Sequence, residues 1–395
     1  AARASSMARA ATLLRQVVVN HGHCSPSLPV GPSLSWLPQL LAGPLEAELD
    51  RRTVVLPRAG DGWYAPPPES ASVESPFCVP AGFPWGELST AGAEALRRQG
   101  RGLLPVPGSG SRDLASRLLV RAANRNRSVS AAQALVLGAA EVVQEASGWR
   151  PPPVEVLLQQ GEDLLPRCIP GAPGFPSPGG RDPLLEAQQA LERDLGAISA
   201  PLAGEGPLHA DLARLAAAAA GQELGAFDAL CEALVCVQGA AEMGAQQLPA
   251  EQVDAVRRLN FLRWAAPIQA GGPEAAGAVI GPLLREIFRA CDSAIEAGPD
   301  TPELVIYSTQ ADALTALIGA LGLATAGAGD TELLRSLATW PDFEASLELE
   351  LVQDAGEPFI RLLHNGRAVV PGMGRDIVPY SQVRARFEKV VEEAA

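Results

Sequence analysis

The sequence predicts an α/β fold: a mixed, mainly parallel sheet flanked by helices, with an inserted helical cap. Three observations carry this. The β-branched run Val17-Val18-Val19 ends abruptly in a loop holding Gly22 and Pro26, the pattern of a buried strand. A second apolar run, Leu304-Val305-Ile306-Tyr307-Ser308, precedes Leu314, Leu317, Ile318 and Leu321 at helical spacing. Such alternation of strand and helix favours a parallel sheet. Between these two runs, residues 182–300 read as almost entirely helical.

Composition narrows the class. A chain of 395 residues has length for a large core and one or two domains. With 47% hydrophobic and 19% charged residues it is globular. A net charge of -14 argues against a nucleic-acid or anionic-membrane surface. No apolar run is long enough for a transmembrane helix. The six cysteines show no zinc-type pairing, and Cys231 and Cys236 fall on different faces of one predicted helix.

Taken in order, the first residues carry Arg3, Arg9 and Arg15, and no acidic residue precedes Glu46. That composition suits a mitochondrial start, with a plastid or secretory origin as the alternatives. His21 follows the first strand, at its carboxyl end, where open α/β sheets place ligands. Residues 27–85 are rich in Pro, Gly and Ser and read as an irregular insertion, broken by apolar pieces such as Thr53-Val54-Val55-Leu56. A helix follows through Gly100, with Ser89 or Thr90 as its cap. Leu118-Leu119-Val120-Arg121 is a second strand, 128–145 a helix, and Val154-Glu155-Val156-Leu157 a third strand. The helical stretch is divided at Gly271-Gly272-Pro273 and near Gly298-Pro299. The last part reads as a hairpin: a half-buried strand alternating from Leu347 to Leu351, a turn over 354–358, and a return through Phe359-Ile360-Arg361. The domain reading is a core over 12–26, 86–181 and 301–395, the insertion 27–85 and the cap 182–300.

The stretch Asn20-His21-Gly22-His23-Cys24-Ser25-Pro26 resembles the Arg-His-Gly-x-Arg-x-Pro signature of the histidine acid phosphatases. His21, Gly22 and Pro26 match, while Asn20 and Cys24 replace the two arginines. The likeness continues in order. Leu88-Ser89-Thr90-Ala91-Gly92 resembles a Leu-Thr-x-x-Gly element before a helix. Val120, Arg121 and Arg127 match a Val-Arg-Ser-Thr-Asp-x-x-Arg-Thr pattern, and Glu162-Asp163-Leu164-Leu165 with Cys168 resembles the next segment. Tyr307-Ser308 begins a unit similar to Tyr-Ser-Ala-His-Asp-Thr-Thr, with Gln310 at the His position and Ala311 at the Asp position. The family's last cysteine pair is absent near Met373 and Val378.

The resemblance implies a two-step phosphoryl transfer: His21 as nucleophile, arginines and a second histidine on the phosphoryl oxygens, an aspartate as proton donor. Phosphoryl transfer is mostly positioning and charge stabilisation, and guanidinium forks match phosphate geometry. Of this set His21 and Arg127 remain, with Asn20, Cys24 and Gln310 at the altered phosphate-binding positions. Ala311 has no proton to give, and Asp312 comes one residue late. Each lost oxyanion donor costs roughly a hundred- to a thousandfold in rate, and a lost general acid roughly a hundred- to ten-thousandfold. The expectation is therefore that no catalytic residue functions and that the chain is not an enzyme. It would instead be an interaction subunit of a larger protein assembly, a mitochondrial respiratory or ATP synthase complex. Trp36, Trp63, Tyr64 and Trp85 are then the candidate anchors. The alternatives are a phosphohydrolase or phosphomutase with a remodelled site, using His23 or Asp312, and a phospho-ligand sensor using His21 and Arg127. No cofactor is expected. His21, His23 and Cys24 are metal-ligand types close together, but no fourth ligand is evident and no metal is expected.

Overall fold

A computed structural model describes residues 11–24, 26, 41–56, 86–104, 114–148, 150–158, 164–177, 183–193, 207–242, 250–297, 301–322, 339–369, 377–388 and 390. Trp36, Trp63, Tyr64, Trp85, Glu162, Asp163 and Met373 lie outside them. The elements are β1 (Ala11–Asn20), α1 (Pro44–Arg52), β2 (Thr53–Leu56), α2 (Thr90–Gly100), α3 (Leu114–Arg117), β3 (Leu118–Ala122), α4 (Asn126–Ser147) and β4 (Val154–Leu158). Then come α5 (Pro183–Arg193), α6 (Pro207–Ala220), α7 (Ala226–Glu242) and α8 (Ala250–Ala297). The chain continues with β5 (Leu304–Thr309), α9 (Ala311–Leu321), β6 (Ser346–Asp354), β7 (Glu357–His364), β8 (Arg367–Val369), β9 (Ile377–Pro379) and α10 (Tyr380–Arg386).

The strands form one sheet in the order β2-β4-β3-β5-β1-β6-β7-β8, with β9 also paired to β7. From β2 to β1 every pairing is parallel, and β6 to β9 pair antiparallel. This is the predicted mixed, mainly parallel sheet flanked by helices. Val17, Val18 and Val19 lie directly beside Ile306, Tyr307 and Ser308.

The apolar runs of β1 and β5 follow from burial on both faces, which removes the need for polar alternation. Successive side chains point to opposite faces. Val17, Val19, Leu304 and Ile306 pack with Leu96 of α2 and Leu135 of α4. Leu14, Val18, Val305 and Tyr307 pack with Leu283 and Ile287 of α8 and Leu314 and Leu317 of α9. Gln16 is buried within the second layer and satisfied there. Its amide donates to the Ile287 carbonyl at 3.0 Å, and the Tyr307 hydroxyl donates to Gln16 Oε1 at 3.1 Å.

Two sequence readings change. Thr53–Leu56, expected as a piece of irregular insertion, is the edge strand of the sheet, parallel to β4. Four apolar residues between Pro- and Gly-rich segments gave no partner to read. β6 is not half-exposed: Glu348 is buried, because Arg15 of β1 reaches it at 2.5 Å across the sheet. An ion pair disguised that buried position as a polar one. The predicted break in the long helix is present, with Gly272 at φ 66° and ψ -152° inside α8.

α2 and α4 touch backbone to backbone. A Cβ on Gly138 would stand 2.0 Å from the Arg97 carbonyl oxygen and 2.9 Å from the Arg101 nitrogen. Neither neighbour can rotate away. Gly138→Ala should therefore lower the urea midpoint, costing about 1–3 kcal/mol as overpacking does. An unchanged midpoint would contradict this contact.

Candidate functional site

The site forms where β1, β3 and β5 end. α4 starts on the chain leaving β3, and α9 starts on the chain leaving β5. These turns bring His21, Arg127 and Gln310 to one edge of the sheet. The His21 loop lies against the first turn of α2. A Cβ on Gly22 would stand 2.7 Å from the Gly92 carbonyl oxygen, and one on Gly92 would stand 2.5 Å from the His23 nitrogen. Two glycines are needed where the two segments cross.

His21 is buried, and its Nδ1 lies 3.0 Å from the Gly22 carbonyl oxygen. A carbonyl only accepts, so Nδ1 carries a proton, and in the neutral ring the lone pair falls on Nε2. Arg127 sits in the first turn of α4, buried. Its guanidinium donates to Gln310 Oε1 at 2.8 Å, pairs with Glu232 of α7, and comes within 3.9 Å of Cys24 Sγ. Burial disfavours its charge, but Glu232 and Cys24 more than offset that, and its pKa is raised. Cys24 Sγ lies 4.0 Å from Cys236 Sγ. Burial would raise the Cys24 thiol, yet its hydrogen bond with Cys236 and the nearby His21 and Arg127 bring it well below a free thiol.

Of the positions singled out from the sequence, His21, Cys24, Arg127 and Gln310 come together. Asn20 is buried too, but its amide donates to the Asp342 carbonyl at 2.8 Å. Ala311 is the first residue of α9 and is buried. His23 bonds through Nδ1 to Ser89 Oγ at 3.0 Å and meets the Phe343 ring edge-on at 4.9 Å. Ser89 is also the cap of α2, accepting from the Gly92 N–H.

The structure adds residues that the sequence did not indicate. Glu232, Cys236 and Gly239 recur at i, i+4 and i+7 along α7, on the face turned to the His21 loop. A Cβ on Gly239 would stand 2.6 Å from His23 Cδ2. Arg125 ends the approach to α4, and its guanidinium feels Arg127, Asp312 and Glu232, with burial and then Arg127 lowering its pKa. Glu344, at φ 57°, donates its N–H to the His21 carbonyl and accepts from the His23 N–H. Burial raises its carboxyl to about 7. Asp312, one residue after the altered Ala311, accepts from the Ala313 N–H and lies within the fields of Arg127 and Arg125. Burial, then Asp228, lift it to about 6. A helical signal in α7 was legible; which of its faces met a loop two hundred residues earlier was not.

No protein-family model and no curated protein matches the sequence. The fold does match solved structures. A phytase of Hafnia alvei in complex with myo-inositol hexakis sulphate is 14% identical, over 97% of this chain and 98% of that one, with a TM-score of 0.53. A phytase of Citrobacter braakii is 13% identical, over 97% of each chain, with a TM-score of 0.50. The fold is thus that of the histidine acid phosphatases and phytases. This corrects the expectation that the chain is not an enzyme. The solved structures that share the fold are phytases, which are enzymes.

Proposed function

We propose that the chain is a phosphohydrolase with a rebuilt site, acting on phosphate monoesters through His21. The observation that carries this is the Nδ1–Gly22 hydrogen bond, which leaves the Nε2 lone pair for attack. Arg127 and Arg125 supply positive charge for the phosphoryl oxygens, and Gln310 is bonded to Arg127. Counting Arg127 alone understated the charge available. Nε2 forms a bond to phosphorus as the ester oxygen leaves, Asp312 gives that oxygen its proton, and water then releases phosphate from His21. Held near pKa 6, Asp312 retains a proton in mild acid, unlike an ordinary aspartate.

Turnover is expected to be slow, because the altered clamps each cost roughly a hundred- to a thousandfold. A generic aryl phosphate assayed across pH tests the reading. Turnover should be greatest in acid and fall as pH rises through about 6, where Asp312 ionises. Asp312→Asn should lower turnover by about a hundred- to ten-thousandfold and remove that limb. An alkaline limb unchanged in Asp312→Asn would rule out Asp312 as the donor.

The interaction-subunit role is a separate proposal with less support. Among the described residues, the large exposed hydrophobics are Val54 and Ile295, neither of them aromatic. The aromatic anchors it needs lie outside the described residues.

A further inference from the structure

We propose that His21, Cys24 and Glu232, with Cys236 beside Cys24 as the fourth ligand, form a binding site for a zinc-class divalent cation, joining the His21 loop to α7. A ring nitrogen of His21, the Cys24 sulfur and a Glu232 carboxylate oxygen all lie within 4.8 Å of one another. The Cys236 sulfur lies 4.0 Å from the Cys24 sulfur. Zinc–sulfur bonds of about 2.3 Å at a tetrahedral angle put two thiolates about 3.8 Å apart. The observed pair is already near that edge length. A histidine, a cysteine and a carboxylate are ligands that zinc accepts, and Cys236, beside Cys24 but outside that mutually close trio, would move in to complete a four-coordinate site.

The surroundings fit as well. A ligating histidine usually donates its other ring N–H to a backbone carbonyl, and His21 Nδ1 has that partner in Gly22. Ligating carboxylates are themselves hydrogen-bonded, and Arg127 donates to Glu232 Oε1. Charge balances too. With a dication bound, the metal and Arg127 carry three positive charges, and Glu232 and the two thiolates carry three negative ones, so the buried cluster is neutral. Metal uptake releases whatever protons the thiols still hold. The sequence hid this set because Glu232 and Cys236 stand more than two hundred residues after Cys24 and offer no short ligand spacing.

The site does not depend on the phosphohydrolase reading and opposes it at one atom. A cation on His21 Nε2 takes the lone pair that would attack phosphorus. In the metal-loaded form, His21 is unavailable as a nucleophile.

The test uses the full chain, reduced and stripped of metal, titrated with Co2+ alone and then Zn2+ alone. One equivalent of Co2+ should bind, with thiolate-to-cobalt charge transfer and the strong visible bands of tetrahedral cobalt. Zn2+ should bleach both. Cys236→Ser and Glu232→Gln should each weaken binding by at least about a hundredfold. Cys168→Ser, whose thiol is outside the cluster, should bind as the parent does. Circular dichroism checks that each variant is folded. Absence of thiolate bands with Co2+, or binding unchanged in Cys24→Ser and Cys236→Ser, would overturn the proposal. Neither result bears on aryl phosphate turnover, which is measured separately without metal.

Discussion

Arg127→Ala is expected to cost about 3–5 kcal/mol of stability and to abolish phosphate binding at the His21 pocket. Arg127 and Glu232 have side chains only 8% and 20% exposed. Removing one partner of such a pair strands the other charge in a poorly solvated place, and that is where the large cost arises. The opposite variant separates stability from function. Glu232→Gln should also destabilise the chain, because Arg127 then lacks its carboxylate. It should nevertheless bind phosphate at least about tenfold more tightly than the parent, since Glu232 is the anion that an incoming phosphate must displace. Phosphate should accordingly raise the melting temperature of Glu232→Gln more than that of the parent. If Glu232→Gln bound phosphate no better than the parent, Glu232 would not be the competing anion, and the placement of the phosphoryl group beside Arg127 would fail.

His21→Ala should bring aryl phosphate turnover to the buffer background, a fall of at least about a thousandfold. The proposed route assigns the covalent step to His21 Nε2, the ring nitrogen opposite the Nδ1–Gly22 hydrogen bond. Loss of a nucleophile is not shared out among its neighbours, because the remaining groups then have no intermediate to stabilise. The variant should stay folded. His21 makes its ring hydrogen bond to the adjacent Gly22, and the surrounding sheet is held by the β1–β5 and β1–β6 pairings. Turnover that persisted in His21→Ala would assign it to another site or a contaminating phosphatase.

The sheet was legible where a strand is buried on both faces. Val17, Val18 and Val19, and the run from Leu304 to Tyr307, have no reading other than core. It was less legible at the edges. Thr53–Leu56 is short and lies among Pro- and Gly-rich segments, and only its pairing with β4 identifies it as part of the sheet. Glu348 misled because charge in a strand reads as exposure, and the Arg15 that neutralises it is 333 residues away.

The site divides the same way. His21, Arg127 and Gln310 were legible because each follows a recognisable strand. Glu232 and Cys236 were not, since they come from a helix whose orientation is set by packing of Leu230 and Leu234 against α6 and α8. Asp312 was judged by its register along the chain, one place late. Its carboxyl lies within the field of Arg125 and Arg127, and burial holds it protonated in mild acid.

The most direct test of the central claim is capture of the covalent intermediate. The metal-free protein is mixed with an aryl phosphate at pH about 5, quenched in base to preserve phosphohistidine, digested and sequenced by mass spectrometry. One phosphoryl group is expected on His21, absent in His21→Ala and retained in Asp312→Asn with an activated ester that leaves without a proton. Turnover with no phosphoryl group on His21, or a phosphoryl group on another residue, would contradict that claim.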